Sequence, residues 1–162
     1  GKWSDEIKRE IFGGAHVSGV LPYDPIKKKI VLIKQFRPGL LKRKELPIMT
    51  EIVAGIIDDK ENPHETAKRE CKEETGCEIK KLIEIFSYYP APGSSESYYN
   101  LYLGEIESFE GTRNMGQQKE NEDILAKSYS IDETKNLLSN KKIKNGLTLL
   151  ALQWFFLEHY KN

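Results

Sequence analysis

The segment 55–77 constrains the fold of this chain most, because it encodes a helix together with both of its ends. Asn62 is a suitable N-cap, Pro63 suits the first helical position, and Glu65 stands where a capping box places an acid. Gly76 supplies a C-terminal stop. The sequence therefore predicts a helix that begins at about Pro63 and ends just before Gly76.

Three glutamates, Glu70, Glu73 and Glu74, follow the i, i+3, i+4 spacing and therefore project from one face of that helix. Like charges at this spacing destabilise a helix unless a cation lies among them. Carboxylates on a rigid element are the ligands that Mg²⁺ or Mn²⁺ prefers, with water and substrate phosphates completing the shell. The small residues Ala67 and Cys71 lie on the other side, where they suit packing against a sheet. The spacing thus favours a divalent-metal site over a solvated acidic surface.

Apolar and β-branched periodicity predicts strands before and after this helix. Two further helices are predicted at about 132–139 and 145–160, and the apolar residues of the second indicate core burial. Strands mixed with helices, without an internal repeat or a linker, predict one layered α/β domain. The predicted strands are 16–23, 30–36, 51–57, 81–88 and 97–106.

Positions 107–123 show no hydrophobic period. A polar loop of that length is unusual in a compact domain, and such loops are often lids or catalytic loops. We therefore expect this segment to carry function, with its acids Glu120 and Glu122 as candidates.

Charge and composition exclude several classes of protein. The 162 residues include 25 Lys and Arg against 25 Asp and Glu, a balance that argues against a nucleic-acid partner held by bulk positive charge. The longest apolar stretch, 147–157, is too short to cross a bilayer, so no membrane partner is expected. No secretory leader is recognisable, and Cys71 and Cys77 alone supply neither a zinc site nor a disulfide framework. We expect a reduced, cytoplasmic protein.

The string GIIDDKENPHETAKRECKEETGC at 55–77 resembles the Nudix box, the motif of hydrolases that act on nucleoside diphosphates linked to another moiety. Every charged and glycine position of the motif matches, including Gly55, Glu61, Arg69 and Gly76. Cysteine replaces the aliphatic residue at both hydrophobic positions and packs as a small hydrophobe. The resemblance implies an α/β/α sandwich with a mixed β-sheet, in which the box forms a loop–helix–loop beside the substrate cleft. It also implies a structural salt bridge between Glu61 and Arg69.

Further segments resemble the ADP-ribose pyrophosphatase branch of that family and together cover most of the chain. They include KREIFGGAHV, IKQFR, EIVAG, YPAPGSSE, KENEDI and NGLTLLALQWF, and Pro92 lies sixteen residues after Gly76, where the branch carries a proline. The resemblance implies Mg²⁺-dependent hydrolysis of ADP-ribose to AMP and ribose 5-phosphate. GDP-mannose hydrolases share the same layout, so GDP-mannose or another nucleotide sugar is the alternative substrate. A module that senses nucleotide without cleaving it is a third interpretation, which the complete set of box carboxylates disfavours.

Carried over by position, the resemblance implies two or three Mg²⁺ ions, or Mn²⁺, at Glu70, Glu74, Glu122 and the backbone carbonyl of Ala54. Glu120 matches the residue taken as general base in the branch, and Glu73 is the alternative group for removing a proton from water. Cleavage of a phosphoanhydride needs neutralised phosphate oxygens and a water oriented in line with the leaving oxygen. A carboxylate on a loop that closes over substrate can take the proton from that water.

The same resemblance implies a set of substrate contacts. Arg37 follows a strand and can bind the pyrophosphate through its planar guanidinium, and Glu96 is suited to accept hydrogen bonds from ribose hydroxyls. Arg9 and Glu10 match positions that can reach substrate from the partner subunit of a homodimer. The remaining contacts are the loop residues Ala91, Pro92 and Gly93 and the pocket residue Ile56.

The N-terminal part departs from the branch. Relatives carry a longer segment that pairs strands across a dimer and supplies an aromatic residue to stack on adenine, whereas about fifteen residues precede the first predicted strand here. Trp3 does not align with the stacking residue. Positions 1–15 are therefore interpreted as a shortened, dimer-associated N-terminal segment, and positions 16–162 as the Nudix hydrolase domain.

Overall fold

The computed structural model describes residues 3–42, 46–116 and 122–161. Within these ranges the strands are β1 (His16–Asp24), β2 (Lys29–Phe36), β3 (Ile48–Glu51), β4 (Val53–Ile56), β5 (Lys81–Tyr88), β6 (Tyr98–Glu105), β7 (Thr112–Met115) and β8 (Ile124–Ser130). The helices are α1 (Pro63–Thr75), α2 (Ile131–Ser139) and α3 (Gly146–Trp154), the last continued by a π-helical turn at Phe155–His159. None of the helices in the described ranges is long and apolar enough to cross a membrane.

Strand β1 lies at the centre of a mixed sheet. It pairs antiparallel with β2 and β4 and parallel with β6, where Val20 aligns with Tyr102. The strand order is β5–β6–β1–β2–β8–β7, with β3 paired to β2 and β4 paired to β1. Strands β3 and β4 therefore separate at Ile52 and join different neighbours.

Two apolar cores separate this sheet from its helices. On one face, Val20 and Val53 of the sheet pack with Ala67 and Cys71 of α1, and all four side chains are fully buried. On the other face α2 and α3 cover a second core, in which Phe155 is completely buried. Helices on both faces of a mixed sheet confirm the predicted α/β/α sandwich. Because α1 buries its Ala67 and Cys71 side, the position of its glutamates follows from the same packing.

Both ends of α1 lie where the sequence predicts them. The Asn62 side chain accepts hydrogen bonds from the backbone N–H groups of His64 and Glu65, each at 3.0 Å. In return Glu65 Oε2 accepts a hydrogen bond from Asn62 N at 3.2 Å. Gly76 ends the helix with a φ of 71°, a left-handed conformation that favours glycine. The predicted capping box and C-terminal stop are confirmed.

Two predictions about strands are wrong. Positions 51–57 form parts of two strands instead of one, because β3 hydrogen-bonds to β2 whereas β4 hydrogen-bonds to β1. Positions 107–123 are not irregular throughout, since β7 pairs antiparallel with β8 within and after that segment. The sequence TRNM of β7 is mostly exposed at the end of the strand order, so it lacks the apolar alternation that predicts a half-buried strand.

Asp24 holds the turn between β1 and β2 against a distant loop. It is 1% exposed, and its two oxygens accept hydrogen bonds from Ile26 N, Lys27 N, Ser108 N and Ser108 Oγ at 2.7–2.9 Å. Burial by itself would raise the pKa of Asp24, but these four hydrogen bonds outweigh it and hold the pKa below its usual range. The ionised carboxylate therefore stabilises the native state, and that stabilisation is lost as the pH falls through the lowered pKa.

Candidate active site

The glutamate face of α1 lies against β4. A Cβ added at Gly55 would overlap the Glu70 carboxylate, so that carboxylate rests directly on the bare backbone of Gly55. Glu74 is one turn further along and only 3% exposed, and the Ala54 backbone hydrogen-bonds to its carboxyl group. Glycine at position 55 is therefore required by close approach of a helix side chain, not by an unusual backbone conformation.

Glu74 lacks a partner that its burial requires. Its Oε2 atom is buried and makes no hydrogen bond to any described residue. Burial, followed by the negative charges of Glu70 and Glu122, raises the pKa of Glu74 to about 9, while the Ala54 backbone and Arg37 oppose the shift. A carboxyl group in this position is protonated at neutral pH unless a cation displaces the proton.

Glu70 and Glu122 share this electrostatic environment. Burial raises the pKa of Glu70, Arg69 opposes that effect, and the charges of Glu73 and Glu122 raise the pKa further. Glu122 precedes β8, and its Oε1 accepts a hydrogen bond from Gln35 Nε2 at 3.2 Å. Helix α1 and the residue pair before β8 thus place three acids near enough to repel one another, and such repulsion is relieved by a bound cation.

Arg69 neutralises part of this charge. Its Nε and Nη2 atoms bind the two oxygens of Glu61 at 2.8 and 3.0 Å, and its Nη1 binds Glu70 Oε1 at 2.7 Å and Glu73 Oε2 at 3.0 Å. The hydrogen bonds from Arg69 lower the pKa of Glu61 to about 2. Arg69 therefore fastens the loop that precedes α1 to the helix, and the Glu61–Arg69 ion pair expected from the motif is present.

The described residues fit a divalent cation without forming a finished cage. In the ranges that the structure describes, no three acidic, histidine or cysteine side chains converge closely enough to hold a metal without movement. One reason is that Arg69 occupies an oxygen of Glu70 and an oxygen of Glu73. The unpartnered oxygen of Glu74 and the mutual repulsion of the acids nevertheless match a site that a cation completes.

A cleft of about 890 Å³ is lined by Ala54 and Gly55, the backbone against which Glu70 rests, whereas Glu70, Glu74 and Glu122 do not line it. Several predicted site residues line it: Arg37, Ala54, Gly55 and Ile56. The lining also contains residues that the sequence had not singled out for function: Glu51, Tyr88, Pro90, Tyr99, Asn145 and Gln153. The lining of the cleft therefore offers both charged and aromatic surfaces to one ligand.

Other predicted contacts lie outside the lining of the cleft. Ala91, Pro92 and Gly93 are exposed in the turn after β5, and their neighbour Pro90 lines the cleft instead. Arg9 and Glu10 are also exposed, and positions 3–11 around them form neither helix nor strand.

That segment runs alongside the turn that carries Glu96. Phe12 N donates to Ser94 O at 2.8 Å, and Glu96 N donates to Phe12 O at 3.4 Å. The structure therefore brings the N-terminal segment and the turn together. The predicted base Glu120 lies outside the described residues.

Sequence reasoning did not identify Glu51 or Asn145 as functional. Glu51 begins the EIVAG string. The signal that could have identified it is its position as an acid directly before the apolar run that ends at Ala54 and Gly55. Asn145 stands before Gly146 and the last helix, where it was interpreted only as part of a packing element. Both residues line the cleft, and they are 94 positions apart in sequence.

This chain is similar to a known domain family over most of its length. The model of the NUDIX domain family matches residues 15–150. The ADP-ribose pyrophosphatase of Escherichia coli K12 is 33% identical over 159 residues, which cover 98% of this chain and 76% of the relative. That of Haemophilus influenzae is 30% identical, covering 98% and 75%. A GDP-mannose pyrophosphatase of Shigella flexneri is 29% identical over 153 residues, covering 94% and 79%.

Proposed function

The chain belongs to the Nudix family of hydrolases, and from that premise we propose that it cleaves the pyrophosphate of ADP-ribose to AMP and ribose 5-phosphate. Relatives named ADP-ribose pyrophosphatase are 30–33% identical over almost the whole chain, which supports this substrate. A relative named GDP-mannose pyrophosphatase is 29% identical, so GDP-mannose is the alternative. The observation that carries the catalytic proposal is the buried, unpartnered oxygen of Glu74 among neighbouring acids.

Nudix hydrolases use divalent metal ions, and we propose Mg²⁺, with Mn²⁺ as a substitute and two or three ions per site. Glu70, Glu74, Glu122 and the backbone carbonyl of Ala54 would hold them. When bound, these ions neutralise charge on the nonbridging phosphate oxygens and so lower the barrier to attack by water. Glu61 and Arg69 hold the loop and helix that carry these ligands, as their ion pair indicates.

Two of the proposed substrate contacts, Arg37 and Ile56, line the cleft, and the others lie outside its lining. Arg37 has a charged guanidinium in the cleft and binds the pyrophosphate, while Ile56 provides apolar contact. Glu96 accepts hydrogen bonds from ribose hydroxyls, and the turn formed by Ala91, Pro92 and Gly93 borders the same end of the substrate. We propose that Arg9 and Glu10 reach the substrate of the partner subunit in a homodimer, since both are exposed here.

The free thiols of Cys71 and Cys77 support a reducing, cytoplasmic location. Burial raises the pKa of the Cys71 thiol to about 12, so this group stays protonated and serves packing rather than chemistry.

Hydrolysis of ADP-ribose by the purified protein with Mg²⁺ is the expected result, with AMP and ribose 5-phosphate as products on chromatography. ADP-ribose, GDP-mannose and other nucleotide sugars should be compared by kcat/KM at equal metal concentration, with ADP-ribose preferred. Equal or faster cleavage of GDP-mannose would replace the substrate assignment. Binding of nucleotide without turnover of any member of the set would identify a sensing module instead.

The general base is proposed to be Glu120, with Glu73 as the alternative. The substitution Glu120→Gln is expected to lower kcat by about 10²-fold or more while leaving KM nearly unchanged, because a general base acts on the water and not on substrate binding. Steady-state rates across pH for Glu120→Gln and Glu73→Gln separate the two candidates. If only Glu73→Gln removes the ascending limb of the pH profile at unchanged KM, Glu73 is the base.

A further inference from the structure

A chain of hydrogen bonds runs from the cleft to the first turn of α3. Arg37 Nε donates to Glu51 Oε2 at 2.8 Å, and Asn145 Nδ2 donates to Glu51 Oε1 at 2.5 Å. Glu51 therefore has one partner for each carboxylate oxygen, and it is 3% exposed. Arg37, in contrast, is 41% exposed and faces the cleft. The guanidinium of Arg37 is therefore accessible to solvent, whereas the Glu51 carboxylate that holds it is buried.

We infer that Glu51 is a positioning residue that aims the guanidinium of Arg37 at the diphosphate of the substrate, and that Asn145 fixes Glu51 for this task. The inference rests on the proposed function, because it assumes that the cleft receives a nucleoside diphosphate. Both carboxylate oxygens of Glu51 are already hydrogen-bonded within the protein, so Glu51 is not proposed to bind the substrate directly. It acts through Arg37, whose side chain has several rotatable bonds and would otherwise sample many directions.

The geometry of Arg37 explains why its Nε atom is the one that is held. A guanidinium offers donors on two edges, and the Nη1 and Nη2 atoms can bind two oxygens of a phosphate at once. Here Glu51 binds Nε, and no hydrogen bond joins Nη1 or Nη2 to another residue in the described part of the chain. The two terminal nitrogens are therefore available to an anionic ligand while the third nitrogen sets their direction.

Thr148 in turn holds the side chain of Asn145. Asn145 is the N-cap of α3, and its Oδ1 accepts hydrogen bonds from Thr148 N at 2.9 Å and Thr148 Oγ1 at 3.1 Å. Thr148 Oγ1 in turn accepts a hydrogen bond from Ile52 N at 3.0 Å, at the junction of β3 and β4. The first turn of α3 thus holds Glu51 through its side chain and the next residue through its backbone.

Burial of Glu51 with part of Arg37 costs free energy, and this cost favours a functional role over a purely structural one. Removing a carboxylate and part of a guanidinium from water carries a desolvation penalty, which a well-packed apolar pair would avoid. Asp24 offers a contrast, because its buried carboxylate binds three residues of a turn and a loop and does not line this cleft. In Glu51, by contrast, one oxygen accepts a hydrogen bond from a side chain that lines the 890 Å³ cleft.

Substitution of Glu51 by Gln is expected to raise KM for ADP-ribose by about 10-fold or more, with a smaller change in kcat, because a charge-assisted hydrogen bond to Arg37 is lost. Gln keeps the shape of Glu51, but Arg37 and Asn145 donate to different oxygens, so one of these donors would face the NH2 group of Gln, which cannot accept. The variant Arg37→Gln is expected to show an equal or larger rise. The double variant should be no worse than Arg37→Gln alone, within about twofold, since Glu51 has no guanidinium left to aim.

Two further variants separate positioning from stability. Asn145→Ser keeps a capping oxygen for α3 but lacks the amide NH2 group that donates to Glu51, and a rise in KM of about threefold or more is expected. Asp24→Asn removes charge from a buried carboxylate outside the cleft, so it should lower the Tm and leave KM unchanged. Unchanged KM in Glu51→Gln, or multiplied losses in the double variant, would overturn the inference.

Binding measurements keep this test distinct from the test of the proposed function. Calorimetric titration with ADP measures the affinity for a diphosphate to which Arg37 contributes. This measurement is possible even if the wild-type protein turns over no nucleotide sugar. Weaker ADP binding by Glu51→Gln and Asn145→Ser, with wild-type affinity in Asp24→Asn, supports the positioning role. Equal affinity in all four proteins overturns it, whatever the identity of the substrate.

Discussion

Replacing Glu74 by Gln is expected to lower kcat/KM by about 10³-fold and, at the same time, to stabilise the metal-free protein above neutral pH. The loss of activity follows because a neutral amide replaces a buried carboxylate that is proposed to hold the metal that neutralises the phosphates. The gain in stability follows because burial and the charges of Glu70 and Glu122 make an ionised Glu74 unfavourable in the absence of a cation.

The sign of the pH dependence follows from the raised pKa. The pKa of Glu74 has its ordinary value of 4.5 in the unfolded chain and is raised to about 9 in the native state. Between these values the native state binds more protons, so the free energy of unfolding falls as the pH rises. The stabilisation due to the bound proton is complete below pH 4.5 and is lost progressively toward pH 9.

Thermal unfolding between pH 5 and pH 9 in the presence of a chelator measures this effect. The Tm of the wild-type protein should fall with rising pH more steeply than that of Glu74→Gln, and Mg²⁺ should restore the wild type at pH 8 but not the variant. Glu78→Gln is the matched control, because Glu78 is exposed and pairs only with Lys72 among the described contacts. Parallel curves for wild type and Glu74→Gln would contradict the assignment of Glu74.

Replacing Gly55 by Ala is expected to lower activity by about 10²-fold with little loss of stability. The added methyl group would overlap Oε1, Cδ and Cγ of Glu70, all of which belong to the movable part of a long side chain. The side chain can swing away, so the fold survives. The carboxylate, however, must leave both the Ala54–Gly55 backbone and its 2.7 Å contact with Arg69 Nη1, which displaces a proposed metal ligand.

Activity, Mg²⁺ dependence and Tm should be measured together for this variant. The expected pattern is a large rise in the Mg²⁺ concentration needed for half-maximal rate, with a Tm close to that of the wild type. Gly39→Ala is the matched control, because an added Cβ there meets no atom within 4 Å. Full activity in Gly55→Ala, or a collapse of Tm in place of a change in metal dependence, would refute this account.

The helix that carries the acids could be predicted almost to the residue because its signals are local. Asn62, Glu65 and Gly76 act on backbone groups within three or four positions, so no distant contact is needed to define the ends of α1. The strands at the centre of the sheet were also predictable from their apolar periodicity. The separation of β3 from β4 was not, because it depends on which neighbour each strand finds across the sheet.

The sequence by itself determined that Glu70, Glu73 and Glu74 share a helix face, since helical spacing alone decides that. Only the tertiary structure decided what each acid meets: Glu74 is buried beside Ala54 with one oxygen unpartnered, while Glu70 and Glu73 are bound by Arg69. It likewise joined Glu51 to Asn145, 94 positions away. The physical reason is that burial and charge repulsion depend on neighbours distant in sequence, and those neighbours exist only once the chain has folded.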